Sequence, residues 1–200
     1  MCKHALIVLG IAFLMCGCVD VTEPLSDADK AEPDKRLLGM WERQKPKKGD
    51  RCEIDCPVIK GHPKGLMHVV YNGRPDDLNS SFWFFTTTIG KHNYANIYIK
   101  EDIQKRDPFF ADFRQEGEFQ KWAKGTKRRY FIFRYVLCED KLIVDGGGEQ
   151  AVAKLMAAEA IEGRSPYQTP RGWLAKYLEK NGPENLYDES NVQVWRRTKL

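Results

Sequence analysis

The chain has 200 residues, with 32 Lys and Arg against 28 Asp and Glu, and its formal charge of +4 is too mild to select a partner. Its length fits one domain plus a tether, and a sequence pI near 8.7 leaves nucleic acid open until the compartment is known. The apolar run from Ala5 to Met15 has eleven residues, too short to span a bilayer, which takes ~20.

The chain opens with Met1-Cys2-Lys3-His4, continues through that run, and reaches Met15-Cys16-Gly17-Cys18. A cationic tip, a short greasy stretch and a small residue at the cut have the form of a secretory signal. Met15-Cys16-Gly17-Cys18 resembles the lipobox of bacterial lipoproteins, with Met15 in place of the usual Leu and Cys16 in place of Ala or Ser. Cys16 is the poorer acceptor, because bulky Met15 would then sit directly before the cut. The resemblance implies that residues 1–17 are a signal peptide and that Cys18 becomes the acylated first residue. It implies a membrane partner through several acyl chains, since a single chain anchors only marginally. The expected location is the cell envelope. In a two-membrane bacterium, Val19 rather than Asp after the cysteine points to the periplasmic face of the outer membrane. Export also removes nucleic acid from the list of partners.

Residues 19–36 hold many charges and no aromatic side chain. Such composition buries too little to offset chain entropy, so 18–36 is expected to be a lipidated N-terminus and flexible tether. Residues 37–200 then form one strand-rich domain.

From residue 37 the text becomes short β-branched and aromatic runs separated by turn chemistry. Leu37–Arg43 is the first. Cys52 and Cys56 follow, in Arg-Cys-Glu-Ile-Asp-Cys-Pro. They could close a small disulfide loop, but not across an extended strand, whose ~13 Å over four residues exceeds the ~7 Å reach of the bond. Cys138 is the competing partner, and the odd count leaves one thiol over. His62 and His68 follow Cys56 at six-residue intervals, which matches no zinc spacing, and no metal is expected.

Leu66–Tyr71 is a strand ending at the Asn72-Gly73 turn. Phe82–Ile89 and Tyr94–Ile99 flank Gly90-Lys91-His92-Asn93, which has the form of a four-residue hairpin loop. A short helix starting at Asp107-Pro108 would present Phe109, Phe110 and Phe113. Tyr130–Leu137 and Leu142–Val144 flank a second hairpin at Cys138–Lys141. In the stretch 130–137 one face carries Phe131, Phe133, Tyr135 and Leu137. The other carries Tyr130, Ile132 and Val136 around Arg134. In 82–85 all four residues are aromatic. Strands greasy on both faces must be covered on both faces. A barrel interior covers one, and two late helices are the natural cover for the other. The first is expected at Glu149–Glu162. The second has Thr169 as N-cap, Pro170 at its first position and Gly182 as its stop. Trp173, Leu174, Tyr177 and Leu178 form its apolar face. Val192–Arg197 closes the chain.

Gly39-Met40-Trp41 in the first strand, preceded by Leu37, is similar to the lipocalin signature. There the Trp plugs the closed end of the barrel and an Arg from a late strand lies over its indole. The resemblance implies a mainly β (α+β) fold: a lipocalin-like antiparallel barrel or strongly curved sheet with helices packed on it. Either Arg196 or Arg197 would cover Trp41, through a cation–π contact of ~0.5–2 kcal/mol.

No Gly-x-Ser-x-Gly elbow, His-Glu-x-x-His, Walker loop or Cys-x-x-Cys occurs in the chain, so no catalytic residue or cofactor is expected. Asp145-Gly146-Gly147-Gly148-Glu149 lacks the Lys-Ser/Thr of a phosphate loop and is expected to be a flexible strand-to-helix connection. Two basic clusters remain, at Lys45–Lys48 and at Lys121–Arg129, the second interleaved with Trp122 and Tyr130. They are expected to be solvated loops. The leading expectation is a membrane-tethered, non-catalytic binding module. Its cavity would be lined by aromatic residues of the 82–85 and 130–137 strands and open to an apolar or amphipathic guest. The alternative is a structural or interaction protein with an envelope protein partner. An enzyme would need a His and a carboxylate meeting in a cleft.

Overall fold

The computed structural model describes residues 19–45, 49–73, 81–100, 109–110, 113–124, 128–147 and 172–198. The expected helix at 149–162, and the Thr169 and Pro170 of the next, lie outside them. Eight strands run up and down in chain order and close on themselves: β2 (Gly39–Lys45), β3 (Arg51–Asp55), β4 (Met67–Tyr71), β5 (Ser81–Ile89), β6 (His92–Lys100), β8 (Arg128–Cys138), β9 (Lys141–Gly147) and β10 (Tyr187–Arg197). Each neighbour is antiparallel, and β10 pairs back onto β2. The fold is a closed, lipocalin-like antiparallel barrel with helices packed on it.

Closure leaves two places where the meander runs out of partners. Along one side of β6, β5 pairs only as far as Ile97. The short strand β7 (Phe109–Phe110) then takes over at Ile99 and Lys100. Along β8, β9 pairs from Phe133 onward, and β1 (Val19–Val21) occupies Tyr130–Ile132. Unpaired backbone groups invite a further strand. That explains why Phe109–Phe110 is extended rather than the start of a helix. The helix in this region lies later, as α1 (Glu118–Lys124), which puts Phe119 inward and Lys121 and Lys124 outward.

The strand period of two separates two cores. Facing the barrel interior are Phe82 and Phe84 of β5 and Phe131, Phe133 and Tyr135 of β8, with Met67, Ile97 and Trp195. On the outside lie Trp83 and Phe85, Tyr94 and Tyr98, Tyr130 and Ile132. This is the two-faced greasiness read from the sequence. Among the described residues its outer cover has three parts, one of them a late helix. α2 (Trp173–Asn181) contributes Leu174, Tyr177 and Leu178, and α1 contributes Phe119. The third part is the stretch expected to be a tether.

Residues 19–36 are part of the wall. Val21 is 1% exposed and Leu25 7% exposed, both packed on the outer core. The Leu25 N–H donates to Asn96 Oδ1 at 2.8 Å, the Ser26 and Thr87 hydroxyls lie 2.6 Å apart, and Thr86 Oγ1 donates to the Glu32 carbonyl. A Cβ added at Gly65 would come within 2.3 Å of the Ala31 carbonyl oxygen, so loop and N-terminal segment meet backbone to backbone. Fully buried Asn96 uses its amide on the Phe85 carbonyl and Thr87 as well. Asn96→Leu removes the acceptor of the buried Leu25 N–H and is expected to lower unfolding stability by about 1–3 kcal/mol. Urea titration should show a lower midpoint at an unchanged slope.

Other local expectations shift. Both hairpin loops are two residues long, Gly90-Lys91 and Glu139-Asp140, with the first residue of each at positive φ. Asp145, Gly146 and Gly147 continue strand β9 instead of forming a connection. Asp145 is 4% exposed and accepts from Arg134 Nε at 2.7 Å, while the Arg134 guanidinium stacks on Tyr187. That pairing explains how an arginine sits on the covered face of β8.

Candidate functional site

One end of the barrel is shut by the residues that opened the β-rich text. Trp41 is fully buried and its indole N–H donates to the Leu37 carbonyl at 2.8 Å. The Arg197 guanidinium lies 4.4 Å from the ring centroid and donates to the carbonyls of Leu38 and Arg36. Arg196 points the other way and pairs with Asp140 on the surface. Gly39 holds φ at +118°, and a Cβ there would stand 3.2 Å from Arg197 Nη1, so glycine leaves room for the arginine.

The turn at residues 35–37 completes the plug. Its cap, Asp34, accepts from the Arg36 N–H and side chain and from the Tyr135 hydroxyl at 2.9 Å. Burial pushes the Asp34 carboxyl up, but these bonds outweigh it and hold it below its usual value of 3.8. A lowered folded pKa contributes stability above that value, and the contribution is lost as pH falls through the lowered one.

Above the plug the interior holds a cavity of about 90 Å³. Phe82, Phe84, Phe131, Phe133, Tyr135 and Trp195 give it an aromatic wall, and Gln193 is the one amide among its lining residues. Arg43, two residues along β2 from Trp41 on the same face, stacks 5.7 Å from the Trp195 centroid and pairs with Asp50. Burial lowers the pKa of its guanidinium. The polar pairs therefore sit toward the ends, and the middle is apolar.

The three described cysteines are free thiols. β3 is extended from Arg51 to Asp55, so Cys52 faces the cavity while Cys56 lies past the strand end, near the Leu66 carbonyl. The small-loop disulfide is thereby overturned, for the geometric reason that conditioned it. Burial pushes the Cys52 thiol up to about 12. At pH 8 iodoacetamide should label exposed Cys138 readily, and Cys52 only after denaturant opens the barrel. Equal labelling rates in the folded protein would contradict the burial.

Cys18 lies outside the described residues. His68 stacks on Trp83 at 4.3 Å on the outer face, with Asp55 3.6 Å from Nδ1. His62 nests between Phe119, Phe113 and Trp83. Among the described residues, no group of three His, Cys, Asp or Glu is placed to hold a metal ion. Sequence reading missed Arg43 and the Asp34–Tyr135 tie. Alternation along β2 signals the first, but nothing local signals the second, which joins residues 101 apart.

The class these observations define is a closed eight-stranded antiparallel barrel, plugged by a Trp–Arg pair at one end, around a small apolar chamber. No family model, curated protein or solved structure matches the chain.

Proposed function

We propose that the protein is a membrane-anchored, non-catalytic binding module whose barrel takes a slender apolar or amphipathic guest. The observation that carries this reading is the chamber itself, almost wholly apolar and walled by aromatic rings. An eight-stranded barrel is just wide enough to be filled by side chains or to hold one small ligand. At about 90 Å³ the chamber falls well short of the ~300–1,000 Å³ of drug-sized sites. The matching guest is a single alkyl chain or a small ring, with any polar head toward Gln193 and Arg43.

The anchor is the acylated Cys18, in the cell envelope. In this reading the lipid is carried by Cys18, the residue before β1, which begins at Val19. Native mass spectrometry of protein extracted from envelopes tests the binding. A co-purifying mass of an alkyl-chain compound is expected, and it should be lost in Ala95→Phe, which fills the chamber. A guest-free mass, together with no quenching of Trp fluorescence by decan-1-ol, overturns it. Acyl-chain mass on the Cys18 peptide tests the anchor separately.

A further inference from the structure

One end of the chamber is closed by a turn rather than by the sheet. Among the described residues that line it, Leu37 is the one not carried by a barrel strand. Leu37 comes from the short turn at residues 35–37, is 3% exposed, and belongs to the inner core with Trp41, Cys52 and Tyr135. The backbone bonds of the turn stay within it. The Leu37 N–H donates to the Asp34 carbonyl, and the Leu38 N–H to the Lys35 carbonyl. Pairing of β2 with β3 starts at Gly39, after the turn.

Side chains from three strands fasten that turn. Trp41 of β2 donates to the Leu37 carbonyl, and Arg197 of β10 to those of Arg36 and Leu38. Tyr135 of β8 is different, because its ring lines the chamber while its hydroxyl donates to the Asp34 carboxylate at 2.9 Å. Asp34 also holds the turn in shape, accepting from the Arg36 N–H at 3.1 Å and from Arg36 Nε at 2.8 Å. Burial, and then Asp34, keep the Tyr135 phenol protonated. Burial raises the Asp34 carboxyl, but its bonds from Arg36 and Tyr135 outweigh that. A neutral donor thus meets a charged acceptor, the stronger kind of hydrogen bond. Gly39, at φ +118°, joins the turn to β2, and a residue without Cβ swings there at little steric cost.

We propose that residues 34–37 form a door into the chamber, hinged at Gly39 and latched by the Tyr135 hydroxyl on the Asp34 carboxylate. Opening it breaks a few side-chain bonds and lifts Leu37, while the ladders of the eight strands stay whole. Local openings of this kind need less free energy than global unfolding. The latch stands on the chamber wall itself, so a change at Tyr135 is felt at the door. What passes through rests on the guest reading above; whether the door opens does not. Cys52 also lines the chamber and is 4% exposed, which makes its thiol a reporter of the opening.

The test is the rate at which iodoacetamide labels Cys52 in the folded full chain, with exposed Cys138 as the reference. In the wild-type chain the shut door keeps Cys52 nearly inert without denaturant. Tyr135→Phe keeps the ring in the wall and removes the latch, and should raise the Cys52 rate about tenfold. Asp34→Ala should raise it at least as much. Asp34→Asn, which still accepts and still caps the turn, should stay within about threefold of wild type. A door opens without unfolding the barrel, so the raised rates should be nearly flat in low urea. Labelling through global unfolding climbs steeply instead. Asn96→Leu, a change in the outer core, is the control and should act only by the steep route. Wild-type rates in both Tyr135→Phe and Asp34→Ala overturn the proposal. So do gains that appear only with the urea slope of unfolding, or an equal flat gain in Asn96→Leu.

Discussion

Replacing residues 19–33 by a glycine–serine linker of equal length should lower unfolding stability by roughly 3–6 kcal/mol. The figure comes from two side chains. Val21 and Leu25 are almost completely buried, and each fully buried residue of this kind contributes about 1.5–3 kcal/mol. The replacement also uncovers Tyr98 and Tyr130 and removes the strand that pairs with β8 at Tyr130–Ile132. Against a typical total of about 5–15 kcal/mol, the barrel would be left marginal. Urea unfolding followed by Trp fluorescence would measure it. An unchanged midpoint would return these residues to the role of a tether.

Trp41→Ala is expected to cost about 3–5 kcal/mol, the range for truncating a buried large aromatic. It opens the closed end under Arg197 and leaves the Leu37 carbonyl without its indole donor. The neighbouring arginines make the internal control. Arg197→Met keeps the stem but strips two carbonyl bonds and the ring contact, and should cost about 2 kcal/mol. Arg196→Met removes only an exposed pair with Asp140, and should stay within about 0.5 kcal/mol. Equal losses at 196 and 197 would contradict the register that sets Arg197 opposite Trp41.

Much of the barrel was legible because strand alternation is local. The two faces of 130–137 and the aromatic block at 82–85 needed only the period of two. So did the Asn72-Gly73 turn, where both residues hold positive φ. Choosing between Arg196 and Arg197 was different. One step along a strand reverses the face, and which step faces inward depends on pairing with a strand about 155 residues away in sequence, a distance no local pattern spans. Gly146 and Gly147 are turn residues by composition, yet they extend β9 because β10 and β8 lie on either side.

The sequence by itself determined the strand-rich barrel, its two greasy faces and the Gly39–Trp41 opening, because side-chain alternation is written residue by residue. Only the tertiary structure decided that residues 19–36 are wall rather than leash. Composition measures what a segment can bury of itself. It does not measure what the segment covers, and this one is held by the aromatic surface of β6 and β8 that it shields from water.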